Sequence, residues 1–114
     1  NADINITATM RALMEFLYQH GDETVSGVAH AKSVTRQHIQ TVADTLVAQG
    51  LAGYKDNPKH KRAKLLFLTD HGRTNFQAIA ARESDLLAEV TKKLKPQEIE
   101  QATTLLRQLQ TALE

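Results

Sequence analysis

Hydrophobic and polar positions follow helical spacings over most of the chain. Apolar residues from Met10 to Leu17 recur three and four positions apart, which predicts a helix over residues 7–19. Ser26 is a residue type that caps helices, and it predicts a short second helix over residues 26–32.

A third apolar seam follows Thr35, the expected N-cap of the next helix, and Gly50 is its expected stop. The seam consists of Ile39, Val42, Ala43, Leu46 and Val47. The opposite, polar face consists of Arg36, Gln37, Gln40, Thr41 and Asp44. Two helices joined by a tight turn, the second with a polar leading end, are typical of a helix-turn-helix.

The periodicity changes after Gly50. The stretches "LAGYK" and "AKLLFLT" indicate two strands, and Asn57-Pro58 between them favours a turn, so we predict a β-hairpin. Two further helices are expected, one over roughly residues 70–93 and one from Pro96 onward. Their seams hold more apolar residues than one small core needs, including Leu86, Leu87, Val90, Ile99, Leu105, Leu106 and Leu109.

Composition narrows the class of protein. A chain of 114 residues suits one domain, and the absence of cysteine excludes disulfides and thiolate metal sites. No apolar run approaches the roughly 18 residues of a membrane span, and no signal peptide is recognisable, so we expect a cytoplasmic protein without a membrane partner.

The net charge of +1 conceals an uneven distribution. Residues 32–73 hold eight Lys or Arg and three acidic residues, a net charge of +5, whereas the remainder carries −4. The helix-turn-helix and hairpin region is therefore expected to attract polyanions.

These basic and polar residues match the chemistry of duplex DNA. The major groove admits one helix, whose leading side chains can reach base edges, with Arg suited to guanine and Gln to adenine. The expected reading residues are Thr35, Arg36, Gln37, His38, Gln40 and Thr41. The hairpin would act as a basic wing, with Arg62 in the minor groove and its neighbours on phosphates. The expected wing residues are Lys55, Lys59, His60, Lys61, Arg62 and Lys64, and the expected helix-end phosphate contacts are Ser26 and Ser33.

Other chemistries have little support in the sequence. The five histidines are scattered, without the converging ligands of a metal site, and no glycine-rich phosphate loop or nucleophile constellation occurs. We therefore expect no enzyme activity, no metal and no cofactor.

Residues 24–76 resemble the winged-helix core of the multiple-antibiotic-resistance regulator (MarR) family of bacterial transcription factors. The resemblance rests on "VTRQHIQTVADTLVAQGLA" and "DNPKHKRAKLLFLTDHGR". These contain the Leu-x-x-x-Gly-Leu exit of the reading helix, a basic wing and a Leu-Thr-x-x-Gly opening of a long helix. His60 stands where the family usually has a wing Asp.

The resemblance implies a mainly α winged helix-turn-helix with a small β-hairpin wing and C-terminal dimerisation helices. Residues 1–114 would form a single domain, with residues 24–76 as the DNA-binding core and residues 1–20 and 77–114 for packing and dimerisation. It further implies a homodimer on double-stranded DNA, a repressor, and a small aromatic acid as effector. The alternative, from another class, is a winged-helix adaptor that binds proteins and not DNA.

Overall fold

The computed structural model of the chain describes residues 6–113. Its elements are α1 (Ala8–His20), α2 (Val25–Lys32), α3 (Arg36–Ala48), β1 (Ala52–Lys55), β2 (Leu65–Leu68), α4 (Asp70–Thr91) and α5 (Pro96–Leu113). The chain divides into two compact units, Asn1–Phe76 and Gln77–Glu114. The predicted class, mainly α with one β-hairpin, is confirmed.

Threonine side chains cap the first three helices. Thr7 and Thr35 lie at the starts of α1 and α3, as the sequence predicts, and each hydroxyl accepts a backbone N–H from the first helical turn. The predicted cap of α2 is wrong. Thr24 caps this helix by accepting the N–H of Gly27 at 2.9 Å, and Ser26 lies inside the first turn. Val25 is the first helical residue.

The core of the first unit is built from the apolar stripes that the sequence predicts. The α1 stripe is buried from Met10 to Leu17, and α2 contributes Val28 and Ala29. The α3 seam is buried at Ile39, Val42, Ala43 and Leu46, whereas Val47 is half-buried. Since α3 packs on both α1 and α2, its orientation is fixed through this one face.

The hairpin covers another side of the core. Strands β1 and β2 are antiparallel, with Ala52 opposite Leu68 and Lys55 opposite Leu65. Leu66 and Leu68 are buried, and the backbone of Glu23 pairs with that of Leu66 on the other edge of β2. Both strands are shorter than predicted, but each lies within the stretch that the sequence indicates.

A tight junction connects α3, the hairpin and α4. Gly50 has a φ of +74°, which a side chain would strain, so it ends the helix as expected. The Thr69 hydroxyl donates to the carbonyl of Gly50 at 2.6 Å and accepts the N–H of Gly72 at 3.0 Å. Thr69 thereby caps α4 and closes the hairpin at the same point.

The second unit exposes its apolar residues. No residue of α5 is buried, and Leu105 and Leu109 are 64% and 56% exposed. In the last turns of α4, Leu86 is 65% exposed. Helix α4 ends at Thr91 and not at residue 93, because a turn over residues 92–94 precedes Pro96.

Gly72 is the most closely packed glycine at this junction. We therefore expect alanine at this position to destabilise the protein, although alanine usually stabilises a helix relative to glycine. In an ordinary helix interior, replacing glycine by alanine makes the helix more stable by about 1 kcal/mol. A Cβ on Gly72, however, would lie within bonding distance of the carbonyl oxygen of Leu51. We expect Gly72→Ala to lower the free energy of unfolding by about 2 kcal/mol or more, measured by denaturant titration. Ser84→Ala, on the exposed side of α4, is the control, and a stabilised Gly72→Ala protein would contradict this packing.

Candidate nucleic-acid interface

The polar residues of α3 form two rows that face different surroundings. Gln37 and Thr41 are exposed and bond to each other, and the Thr41 hydroxyl also donates to the carbonyl of Gln37 at 3.0 Å. Arg36 and Gln40 lie on the side of the helix that faces β1. The polar leading end of α3 is therefore presented outward, while its apolar seam is in the core.

A closed hydrogen-bond triangle joins α3 to the wing. The Gln40 amide Nε2 donates to Asp44 Oδ1 at 3.0 Å and to the Tyr54 hydroxyl at 2.9 Å, and that hydroxyl donates to Asp44 Oδ1 at 3.1 Å. Because Asp44 lies one turn after Gln40 on α3 and Tyr54 lies on β1, the triangle ties α3 to the first strand of the hairpin. We call these three residues the clasp.

The clasp changes the acidity of its phenol. Partial burial raises the pKa of Tyr54, and the hydrogen bond and negative charge of Asp44 raise it further. The Gln40 amide and the positive charge of Arg36 act in the opposite direction but are outweighed. Tyr54 therefore stays a neutral donor to Asp44 at any physiological pH.

A basic groove of about 380 Å³ lies between α3 and the wing. Arg36 and Gln40 line one wall, and Arg62 and Lys64 line another. Thr24 and Ser26, at the start of α2, complete it. The structure thus brings together predicted residues from the reading helix, the wing and the α2 start.

The wing cations fall into two groups. Lys55 pairs with Asp22, and Lys64 pairs with Asp56 at 2.9 Å, where the hydrogen bond and charge of Lys64 lower the pKa of the Asp56 carboxyl. The tip cations Lys59, Lys61 and Arg62 are exposed, and no carboxylate within residues 6–113 forms an ion pair with them. The unpaired positive charge of the wing is therefore concentrated at its tip.

Three other predicted residues make backbone contacts within a helix cap, a helix end or a turn. The Thr35 hydroxyl accepts the N–H of His38 at 3.0 Å, so it is engaged in capping. Ser33 adopts a left-handed conformation with φ of +56° and ends α2. His60 is exposed at the tip, where its N–H donates to the carbonyl of Asn57.

Sequence reasoning missed the roles of Asp44 and Tyr54. The four-residue spacing of Gln40 and Asp44 is a recognised helical pair and could have indicated their contact. Tyr54 follows Ala52 on the alternating pattern of β1, but that pattern does not show which helix residue its hydroxyl meets. The acidic partners Asp22 and Asp56 were likewise not predicted.

Residues 6–113 contain no group of three or more His, Cys, Asp or Glu side chains that could hold a metal ion. None of the described helices is long and apolar enough to cross a membrane.

A helix-turn-helix followed by a basic β-hairpin defines a winged helix-turn-helix protein. No family model matches the chain. An uncharacterized protein of Mycobacterium tuberculosis is 37% identical over 90 residues, which cover 79% of this chain and 63% of that protein. The chain therefore spans less than two thirds of that relative. The HTH-type transcriptional repressor MdtR of Bacillus subtilis is 28% identical over 96% of this chain and 70% of its own length.

Among solved structures, a mutant of MarR from E. coli superimposes with a TM-score of 0.74 at 26% identity, covering 95% of this chain and 80% of that one. The structure is therefore similar to MarR-family transcription regulators, the family whose motifs the sequence resembles.

The clasp can be tested by the titration of its phenol. Asp44→Asn removes the carboxylate that raises the Tyr54 pKa and leaves the burial in place. We expect Tyr54 to ionise at lower pH in this variant than in the unchanged protein, as followed by phenolate absorbance. Tyr54→Phe removes this phenol, so the absorbance change that is lost in this variant is the one that belongs to Tyr54. An unchanged titration in Asp44→Asn would show that the clasp does not form in solution.

Proposed function

We propose that this protein is a sequence-specific, double-stranded-DNA-binding transcriptional regulator that acts as a homodimeric repressor. The observation that carries the proposal is the shared basic groove, which has Arg36 of the reading helix on one wall and Arg62 of the wing on another. A surface of this kind can contact bases and backbone of one duplex together.

In this proposal α3 enters the major groove with its amino end first. Arg36 has the planar donor fork that suits guanine, and Gln37 and Thr41 are exposed on the neighbouring row. The buried seam of α3 supports this role, because it holds the helix rigidly from behind. The N-termini of α2 and α3 add partial positive charge near phosphates, where Ser26 and Ser33 are expected to donate hydrogen bonds.

The wing would contact the adjacent minor groove and backbone. Its exposed tip offers Arg62 for the minor groove, and Lys59, His60 and Lys61 for phosphates. Lys55 and Lys64 would have to share their charge with Asp22 and Asp56, so we expect them to contribute less than the tip. This ranking within the wing follows from the ion pairs.

Homodimer formation is supported by the exposed apolar residues of the second unit. The expected interface residues are Leu86, Leu87, Val90, Ile99, Leu105, Leu106 and Leu109, of which all but the half-buried Ile99 are at least 40% exposed. Apolar surface of this kind is stabilised when a partner covers it. Two copies would present two reading helices about one turn of DNA apart and favour a palindromic site.

The proposal also covers the direction of regulation, the effector, the location and the absence of enzyme activity and cofactor. The repressor role is supported by the similarity to MdtR, an HTH-type transcriptional repressor. A small aromatic acid as effector and a bacterial cytoplasmic location remain predictions from the family resemblance and the composition. We propose no enzyme activity and no cofactor.

Two substitutions separate base reading from backbone binding. Arg36→Ala is expected to reduce affinity for the selected site by about tenfold or more while leaving random duplexes little affected. Lys59→Ala should weaken both kinds of duplex similarly and reduce the slope of log affinity against log salt by about 1.

The measurement is a duplex titration by fluorescence anisotropy at several salt concentrations, with Lys95→Ala outside the proposed interface as the control. If both variants lose affinity equally on specific and random DNA, the assigned roles are wrong. If the unchanged protein binds no duplex at about 150 mM salt but retains a protein partner, the adaptor alternative is favoured.

The dimer proposal predicts that one charge in the apolar seam separates the protomers. Leu109→Asp places a carboxylate in the middle of the exposed apolar stripe of α5. We expect a monomer in sedimentation velocity, and weaker operator binding because the two reading helices are no longer linked. Gln108→Asp, one residue away on the same helix, is the matched control and should remain dimeric. A dimeric Leu109→Asp protein would place the interface elsewhere.

A further inference from the structure

The clasp restricts what Gln40 can offer to DNA. A glutamine that reads adenine in the usual way uses its carbonyl to accept from N6 and one amide hydrogen to donate to N7. The Gln40 amide has two hydrogens, and two acceptors, Asp44 Oδ1 and the Tyr54 hydroxyl, lie within 3.0 Å of its nitrogen. A two-bond contact with adenine would therefore require one of these bonds to break.

Asp44 also fixes which end of the amide faces the clasp. A carboxylate only accepts hydrogen bonds, so turning the amide over would set the Gln40 carbonyl against Asp44 Oδ1. The Tyr54 hydroxyl strengthens this preference, because its own hydrogen is donated to the same carboxylate oxygen and its lone pair faces Gln40. The amide nitrogen thus points into the clasp, and the carbonyl Oε1 is left as the group available to a ligand.

We propose that Gln40 reads its base pair as a hydrogen-bond acceptor alone, held in that state by Asp44 and Tyr54. An acceptor in the major groove is matched by an exocyclic amino group, which adenine carries at N6 and cytosine at N4. Guanine and thymine present only acceptors or a methyl group there. The position facing Gln40 should accept adenine or cytosine and reject the other two bases. This inference rests on the proposed function and specifies how one of its residues selects sequence.

Tyr54 and Asp44 are positioning residues in this scheme. Tyr54 need not touch DNA, yet its hydroxyl determines whether Gln40 has a free amide hydrogen. Without that hydroxyl, Asp44 Oδ1 is the one acceptor left in the clasp, so one hydrogen is released. Gln40 would then regain the two-bond contact that distinguishes adenine from cytosine.

The test uses the full chain and a binding site selected from random duplexes. Each position of the site is replaced by all four base pairs, and relative affinities are measured by competition. In the unchanged protein, we expect one position per half-site at which adenine and cytosine are each favoured about tenfold over guanine and thymine, and differ by less than about threefold from each other.

Two variants then assign that position. Gln40→Met keeps the length of the side chain but removes its hydrogen bonds. It should make the affinities for the four bases at that position similar. Tyr54→Phe should raise the preference for adenine over cytosine by about fivefold at the same position and leave other positions unchanged. Tyr18→Phe removes the other tyrosine hydroxyl and should leave the base preference at every position unchanged. Thermal unfolding by circular dichroism confirms that each variant is folded.

Three outcomes overturn the inference. In the first, the unchanged protein selects adenine alone at the position that Gln40→Met levels. In the second, Gln40→Met leaves every base preference intact. In the third, Tyr54→Phe does not alter the ratio of adenine to cytosine. In all three, specific DNA binding persists, so the proposed function survives. If the unchanged protein selects no duplex at all, the proposed function fails and this inference fails with it.

Discussion

The burial of one face of α3 is the constraint on which the rest of the site depends. Ile39, Val42 and Leu46 pack into the core that α1 and α2 form, so the helix has a single orientation relative to the unit Asn1–Phe76. Because a helix repeats every 3.6 residues, fixing the apolar face also fixes the polar one. The outward direction of Gln37 and Thr41 is therefore a consequence of core packing and not a separate feature.

The sequence was most informative where local periodicity decides structure. It predicted the apolar stripes and the hairpin, and Thr35 caps α3 as it predicted. It misplaced the cap of α2, because Thr24 and Ser26 are both good capping residues and only the path of the backbone decides between them. The predicted helix ends agree with the structure to within a few residues, since the last turn of a helix depends on the local path of the backbone.

The contacts between elements could not be predicted from the sequence. The hydroxyl of Tyr54 meets Gln40 across 14 positions of the chain, and no local pattern indicates a contact of that separation. The ion pairs of Lys55 and Lys64 also depend on tertiary structure, and they change the interpretation of the wing. A count of basic residues treats all wing lysines alike, whereas the structure concentrates unpaired charge at the tip. The likeness to MarR-family regulators supports the arrangement as a whole but does not assign these contacts.

The central claim is that the start of α3 and the wing tip form one DNA-binding surface. The most direct test is to map backbone amide resonances by NMR while a selected duplex is added to the chain of residues 1–114. The account predicts that the largest changes fall together in residues 35–41 and 59–62 at the same duplex concentration. Changes confined to only one of these segments, or located mainly in α5, would contradict it.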